Sequence, residues 1–332
     1  MKYNSSMMLF FFTLIFSTLI TISSNSWLGC WIGLEINLMS FIPLILNINN
    51  LMSNEASLKY FLIQSIASIN FLFFILMNMY YKSYYFSILV NLTMLMKMGS
   101  VPFHFWFPNM IEGLSWFNSF ILMTWQKISP MIILSYFLNN NLIILSVILN
   151  TIIGAIGGIK QTSLRKIMAF SSINNLGWML SSIMISENLW YMYMLIYSLM
   201  VSIMCFMFFY MNLFYINQMF TTNLNKLIKI NLLINFLSLG GLPPFLGFFP
   251  KWIIINFLIN NNLFFMTLIM IMMSLIILYY YIRIMYSSMM FNYFKLKWFN
   301  FNNNNNNKNY SYLNIFSFIS ISSLMINSLF FF

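Results

Sequence analysis

Charged side chains are scarce in this 332-residue chain: they make up 6% of the residues, against about 25% in a soluble globular domain. Asp is absent, and the four acidic residues are Glu35, Glu55, Glu112 and Glu187. Hydrophobic residues account for 61%, so the few charges cannot cover a water-facing surface. Because a bilayer-spanning helix needs only about 20 apolar residues, the composition indicates a membrane-embedded chain.

Residues that bind cofactors are also few. Two cysteines, Cys30 and Cys205, cannot supply the four ligands of an iron–sulfur cluster, and the single histidine, His104, excludes a haem held by two histidines. No glycine-rich nucleotide motif follows a strand-like run; the cluster Gly154, Gly157 and Gly158 ends an apolar helix and predicts close helix packing. The sequence therefore predicts no redox centre, no metal site and no bound cofactor in this chain.

The net charge of +11 raises the question of nucleic-acid binding. Nucleic-acid binding would need a soluble basic domain, and the sequence offers none. Eleven of the 15 basic residues fall in loops or helix ends on the predicted side of the N-terminus, and only Lys82 falls on the opposite side. This asymmetry is typical of a membrane protein whose N-terminus lies on the cytoplasm-like side. We therefore expect no nucleic-acid partner.

Apolar runs separated by short polar breaks predict an all-α membrane protein with about eleven transmembrane helices. We expect one polytopic domain over residues 1–332, with a polar asparagine-rich loop at about 286–311. The predicted spans are 7–22, 27–46, 57–79, 84–107, 115–136, 142–158, 165–185, 189–213, 228–259, 263–285 and 312–331.

Four charged residues lie inside predicted spans and away from the span ends: Glu35 in the second, Lys97 in the fourth, Lys127 in the fifth and Lys251 in the ninth. A charge at bilayer depth costs at least about 2.5–3.5 kcal/mol, so these groups must face protein or water. One interpretation is a structural Glu–Lys pair that fixes helix register. The other is proton movement. A buried lysine is suited to it because burial favours the neutral amine, whereas a nearby carboxylate favours the charged ammonium.

Two spans carry the same helix-breaking pattern. The fourth contains Gly99 and Pro102, and the ninth contains Gly240, Gly241, Pro243 and Pro244; each continues through an aromatic-rich run to a further Pro. A broken backbone survives in the bilayer only inside protein or along a water-filled cavity. The two spans are an odd number of helices apart and thus run in opposite directions. The pattern predicts discontinuous helices at about 84–107 and 228–259 in an inverted repeat, although two coincidental proline kinks remain an alternative.

His104 lies inside the first of these breaks, next to an aromatic run. It has two interpretations of equal weight. It packs as a core residue with one hydrogen bond, or it relays protons, since its charge changes near neutral pH.

Several segments together carry a family resemblance: Asn25-Ser26-Trp27, Gly33-Leu34-Glu35-Ile36-Asn37, Glu55-Ala56-Ser57-Leu58-Lys59-Tyr60-Phe61, Pro102-Phe103-His104-Phe105-Trp106, Thr124-Trp125-Gln126-Lys127, Gln161-Thr162-Ser163-Leu164-Arg165-Lys166 and Leu239-Gly240-Gly241-Leu242-Pro243-Pro244. With them the chain resembles the antiporter-like membrane-arm subunits of mitochondrial NADH:ubiquinone oxidoreductase, respiratory complex I. The resemblance covers essentially the whole length and is weakest after about residue 260.

The resemblance implies a role for each in-span charge. Glu35 resembles the glutamate that pairs with the pumping lysine, and Lys97 resembles that lysine in the first broken helix. Lys127 resembles the lysine that bridges toward the second half, and Lys251 resembles the lysine of the second broken helix.

The resemblance further implies a proton-translocating subunit of the mitochondrial inner membrane, with its N-terminus in the matrix. NADH, FMN, iron–sulfur clusters and ubiquinone would be bound by other subunits of the complex, and the partners would be other membrane-arm subunits and lipids. A stand-alone cation/proton antiporter is the alternative, because the related fold serves both. A purely structural scaffold would not need the in-span lysines.

Overall fold

The structure is a computed structural model that describes residues 5–47, 50–81, 84–221 and 226–290. Within those ranges the regular elements are α-helices, and one isolated antiparallel bridge joins Ser163 to Tyr215. The predicted all-α class is confirmed. The helices are α1 (Ser5–Ser23), α2 (Trp27–Ile45), α3 (Leu51–Tyr81), α4 (Tyr84–Met98), α5 (Trp106–Gly113), α6 (Trp116–Met123), α7 (Trp125–Tyr136), α8 (Asn140–Ile159), α9 (Leu164–Ile185), α10 (Glu187–Met211), α11 (Ile216–Thr221), α12 (Lys226–Gly240), α13 (Phe248–Asn260) and α14 (Phe264–Met290).

Six of the described helices are long and apolar enough to cross a membrane by length and composition: α1, α2, α3, α8, α10 and α14. Three shorter apolar helices, α4, α12 and α13, belong to the spans that the sequence predicts to be discontinuous. The predicted span at 312–331 and residues 291–311 of the predicted loop lie outside the described residues, while α14 continues to Met290. The count of eleven spans therefore stays a prediction.

The helix contacts divide the chain into two compact units, residues 1–150 and 151–332, with the boundary inside α8. In the first unit α1 packs on α2, α3 packs on α2, α4 and α5, and α7 packs on α4 and α6. The α1–α2 contact is close because Gly33 has no side chain: a Cβ there would lie 2.4 Å from Cγ2 of Thr21. This packing surrounds Lys97 and Lys127 with protein.

In the described part of the second unit, α9 packs on α10 and α13, and α12 packs on α10 and α14. Most side chains of α9 are buried, including serines and asparagines, which makes it a polar core helix. The predicted close packing of the glycine cluster is confirmed: a Cβ at Gly154 would lie 2.6 Å from the backbone nitrogen of Asn174, and one at Gly157 would lie 2.4 Å from the Phe170 ring.

The predicted span at 115–136 is not continuous. It is interrupted at Thr124, between α6 and α7, where the backbone nitrogen of Lys127 bonds to Thr124 O at 3.2 Å in a tighter turn. Pro130 lies one turn further on, inside α7. Proline donates no hydrogen bond to the carbonyl four residues earlier, that of Gln126, and this weakens the first turn of α7, next to the interruption.

Candidate functional site

The first broken helix ends in a left-handed glycine. At the end of α4, Gly99 has a φ of 71°, its nitrogen donates to Met96 O at 3.2 Å, and Ser100 N donates to Leu95 O at 3.0 Å. These two bonds form a Schellman motif, which satisfies carbonyl groups that a helix end leaves unpaired. The following segment is anchored to α8, because Val101 N donates to Asn150 Oδ1 at 2.6 Å.

The second broken helix ends in the same way. At the end of α12, Gly241 has a φ of 83°, its nitrogen donates to Ser238 O at 3.0 Å, and Leu242 N donates to Leu237 O at 3.3 Å. The prolines that break each helix follow shortly afterwards, at Pro102 in the first unit and at Pro243 and Pro244 in the second. Each unit thus contains one helix that stops at a Schellman glycine.

A buried cavity in the first unit brings together two of the predicted lysines. Lys97 is 7% exposed and Lys127 is 1% exposed, and both line a cavity of about 20 Å³, which is room for about one water molecule. The Nζ atom of Lys127 lies 5.3 Å from the centre of the Phe107 ring. The remaining lining residues include Leu34, Asn37, Leu38, Tyr60, Gln64, Met98, Trp106, Leu122, Gln126, Ser129 and Pro130.

Polar side chains that the sequence reasoning missed connect the walls of this cavity. Tyr60 donates its hydroxyl to Gln126 Oε1 at 3.4 Å, and Gln126 Nε2 donates to Asn37 Oδ1 at 2.8 Å. Gln64 Nε2 donates to the carbonyl oxygen of Lys97 at 3.0 Å, at the open end of α4. The available signal was the placement of amide side chains inside otherwise apolar spans.

Glu35 lies near this cavity but does not touch Lys97. The carboxylate is half-buried on α2, and no nitrogen–oxygen pair of these two described residues lies within 4.0 Å. The contact that the Glu–Lys pairing suggested is therefore absent between these two side chains.

A second cavity, also about 20 Å³, lies in the second unit beside Lys251, which is 5% exposed. The ammonium of Lys251 donates to Gly240 O at 3.0 Å and lies 5.7 Å from the centre of the Trp178 ring. The carbonyl ends of a helix carry partial negative charge, so the end of α12 favours a cation here. The opposite wall is polar as well, since Tyr193 donates to Asn175 Oδ1 at 3.0 Å.

His104 lies in the first helix break and is 6% exposed. Its Nδ1 atom is 3.3 Å from the carbonyl oxygen of Pro102, and its ring centre lies 4.2 Å from that of Phe105. His104 is not among the side chains that line the first cavity. Both of its interpretations, packing and proton relay, stay predictions.

The described residues contain no group of three or more His, Cys, Asp or Glu side chains that could hold a metal ion. The side chains that could carry chemistry in the two cavities are therefore the lysines, amides and hydroxyls described above.

Comparison with known proteins gives a consistent result. Residues 24–277 match the family described as NADH:quinone oxidoreductase/Mrp antiporter, transmembrane. The chain is 51% identical over 331 residues to NADH-ubiquinone oxidoreductase chain 2 of Anopheles gambiae, covering 97% of this chain and 96% of that protein. It is 50% identical over 299 residues to the same subunit of Aedes aegypti, covering 87% and 88% of the two chains.

Solved structures share the fold at low sequence identity. A chain of respiratory complex I from Thermus thermophilus superposes with a TM-score of 0.78 at 20% identity, covering 86% of this chain and 71% of that one. A chain of the Mrp complex from Dietzia superposes with a TM-score of 0.74 at 14% identity, covering 83% of this chain and 59% of that one. The predicted antiporter-like fold is confirmed, and the chain belongs to the NADH-ubiquinone oxidoreductase chain 2 family of antiporter-like membrane subunits.

Proposed function

We propose that this chain translocates protons as a core membrane-arm subunit of NADH:ubiquinone oxidoreductase. The observation that carries the proposal is that each unit places a buried lysine beside a helix broken at a Schellman glycine and beside a cavity large enough for water. A lysine in such a place can take a proton from water and return it. The relatives share the name NADH-ubiquinone oxidoreductase chain 2, which indicates that proton movement is coupled to the oxidation of NADH by ubiquinone.

In the first unit, Lys97 and Lys127 are the proton carriers. Both lysines line one cavity, so a single water there can accept a proton from the ammonium of one lysine and donate a proton to the neutral amine of the other. A carboxylate close to a lysine stabilises its ammonium, and Glu35 on α2 is the acidic residue that would do so for Lys97. A change in the Glu35–Lys97 separation would therefore load or release a proton at Lys97.

In the second unit, Lys251 is the proton carrier. Its ammonium is held by Gly240 O at the end of α12, so the charged form is stabilised by a carbonyl group and not by a carboxylate. His104 is a candidate relay near the first cavity, through the break that it shares with Pro102.

Electron transfer from NADH to ubiquinone takes place in other subunits, which hold FMN, the iron–sulfur clusters and ubiquinone. The chain contributes the proton-translocating part of that enzyme in the mitochondrial inner membrane, with its N-terminus in the matrix. Its partners are other membrane-arm subunits, including neighbouring antiporter-like subunits, and lipids.

The second candidate is a stand-alone cation/proton antiporter, which the Mrp fold similarity favours. Sealed vesicles that contain the intact assembly distinguish the two. The proposed function predicts proton uptake when NADH is oxidised by ubiquinone, and none when only a sodium or potassium gradient is imposed. Proton uptake driven by the cation gradient alone, by the chain purified without partners, would contradict it.

A further inference from the structure

A polar face runs along α12 toward the second cavity. The helix is largely apolar, but Asn231, Asn235 and Ser238 occur at spacings of four and three residues. Side chains with these spacings lie on one face of an α-helix, each about one turn from the next. We call these three residues the α12 polar face.

Burial increases along this face in the direction of Lys251. Asn231 is half-buried, Asn235 is 1% exposed and Ser238 is fully buried. Ser238 and Leu239, one turn after Asn235, both line the cavity that contains Lys251. The α12 polar face therefore leads from the first half of the helix, where it is partly open, to the edge of that cavity.

The carboxamide of Asn235 has no hydrogen-bond partner among the described residues. Neither its Oδ1 nor its Nδ2 atom bonds to another atom of the described residues, although both are fully buried. By contrast, the buried amide of Asn175 accepts a hydrogen bond at Oδ1 from the hydroxyl of Tyr193. Since buried polar groups in native proteins are paired with protein or with ordered water, a buried amide without a partner among the described side chains and backbone marks a place for water.

We propose that Asn235 binds internal water and that the α12 polar face is the route by which protons reach Lys251 from the end at which α12 begins. The proposal rests on the proposed function and adds the path to one of its carriers. Each transfer passes a proton from one water to the next and finally to the neutral amine of Lys251, which becomes an ammonium. Charge and protons balance without any other reactant.

Cysteine accessibility tests the route directly. Asn235→Cys is introduced into the intact assembly in sealed vesicles and reacted with a small positively charged methanethiosulfonate reagent. Leu232→Cys is the control, because Leu232 is fully buried on the same helix and lies about 90° around it from the centre of the α12 polar face. The parent protein, with buried Cys30 and Cys205, gives the background.

The route predicts that Asn235→Cys reacts about tenfold faster than Leu232→Cys or more, because only a thiol that water reaches forms the reactive thiolate. Ser238→Cys, which replaces only the hydroxyl oxygen by sulfur, is expected to react as well. It provides the test of the route if Asn235→Cys fails to assemble. Rates for both polar-face cysteines equal to that of Leu232→Cys would overturn the proposal.

A second measurement separates this route from the proposed function itself. Asn235→Leu should lower the number of protons taken up per NADH oxidised, and Asn235→Ser, which can still bind water, should restore part of it. If Lys251→Met lowers that ratio while Asn235→Leu does not, the route is wrong and the function stands. If Lys251→Met leaves the ratio at the parent value, Lys251 carries no proton and the proposed function fails at this cavity.

Discussion

Gly241→Ala is expected to disturb the second cavity at the end of α12. Gly241 has a φ of 83°, and a left-handed conformation costs an L-residue about 1–2 kcal/mol. The added Cβ would also lie 2.9 Å from Lys251 Nζ. The ammonium would have to leave Gly240 O, and a hydrogen bond to a charged group contributes about 1.5–3 kcal/mol. Together the substitution should cost about 2.5–5 kcal/mol.

Gly240→Ala is the matched control for this change. A Cβ at Gly240 would make only ordinary contacts, 3.6 Å from the side chains of Leu278 and Tyr281, and Gly240 has no left-handed backbone. The assay is the midpoint of thermal inactivation of the intact assembly, followed by proton uptake per NADH in sealed vesicles. Gly241→Ala should lower both values, and Gly240→Ala should change them little. Equal behaviour of the two variants would refute the role of the Gly241–Lys251 contact.

Two further substitutions test the first cavity. The Glu35 carboxylate lies beyond 4.0 Å from Lys97, so at an effective dielectric constant near 20 its interaction with the ammonium is below about 4 kcal/mol. Proton uptake per NADH should therefore be highest in the parent, lower in Glu35→Asp and lowest in Glu35→Gln, and assembly should be the same in all three. If Glu35→Gln takes up as many protons per NADH as the parent, Glu35 has no part in the mechanism. Gln126→Leu removes the hydrogen-bond partner of Asn37 and of Tyr60, and each buried group left unpaired costs about 1–3 kcal/mol of folding free energy. The midpoint of thermal inactivation should therefore fall in Gln126→Leu and fall less in Gln126→Glu. Identical midpoints for Gln126→Leu and the parent would contradict the hydrogen-bond network.

The helix breaks could be predicted because their signals are local. A glycine followed shortly by proline, inside an apolar run, fixes both the left-handed residue and the end of the helix. At Gly99 and Gly241 the structure has this conformation, within a residue or two of the predicted place. The interruption at Thr124 could not be predicted because no glycine or proline stands at it, and the nearest proline, Pro130, lies further along inside α7.

The contacts within the first cavity could not be predicted because they join distant parts of the chain. Gln126 bonds to Tyr60 and Asn37, which are 66 and 89 residues away in sequence. Burial of Lys97 and Lys127 followed from their depth in apolar spans, but their shared cavity depends on how α4 and α7 pack. For the same reason the sequence could pair Glu35 with Lys97 but could not give their separation.

Proton uptake per NADH in Lys97→Met vesicles tests the central claim most directly. Methionine keeps most of the volume and length of the lysine side chain and removes its proton. Lys59→Met is the control, since Lys59 is a half-exposed lysine paired with Glu55 on the surface of α3. The account predicts that Lys97→Met assembles and takes up fewer protons per NADH, while Lys59→Met equals the parent. An unchanged ratio in an assembled Lys97→Met complex would contradict it.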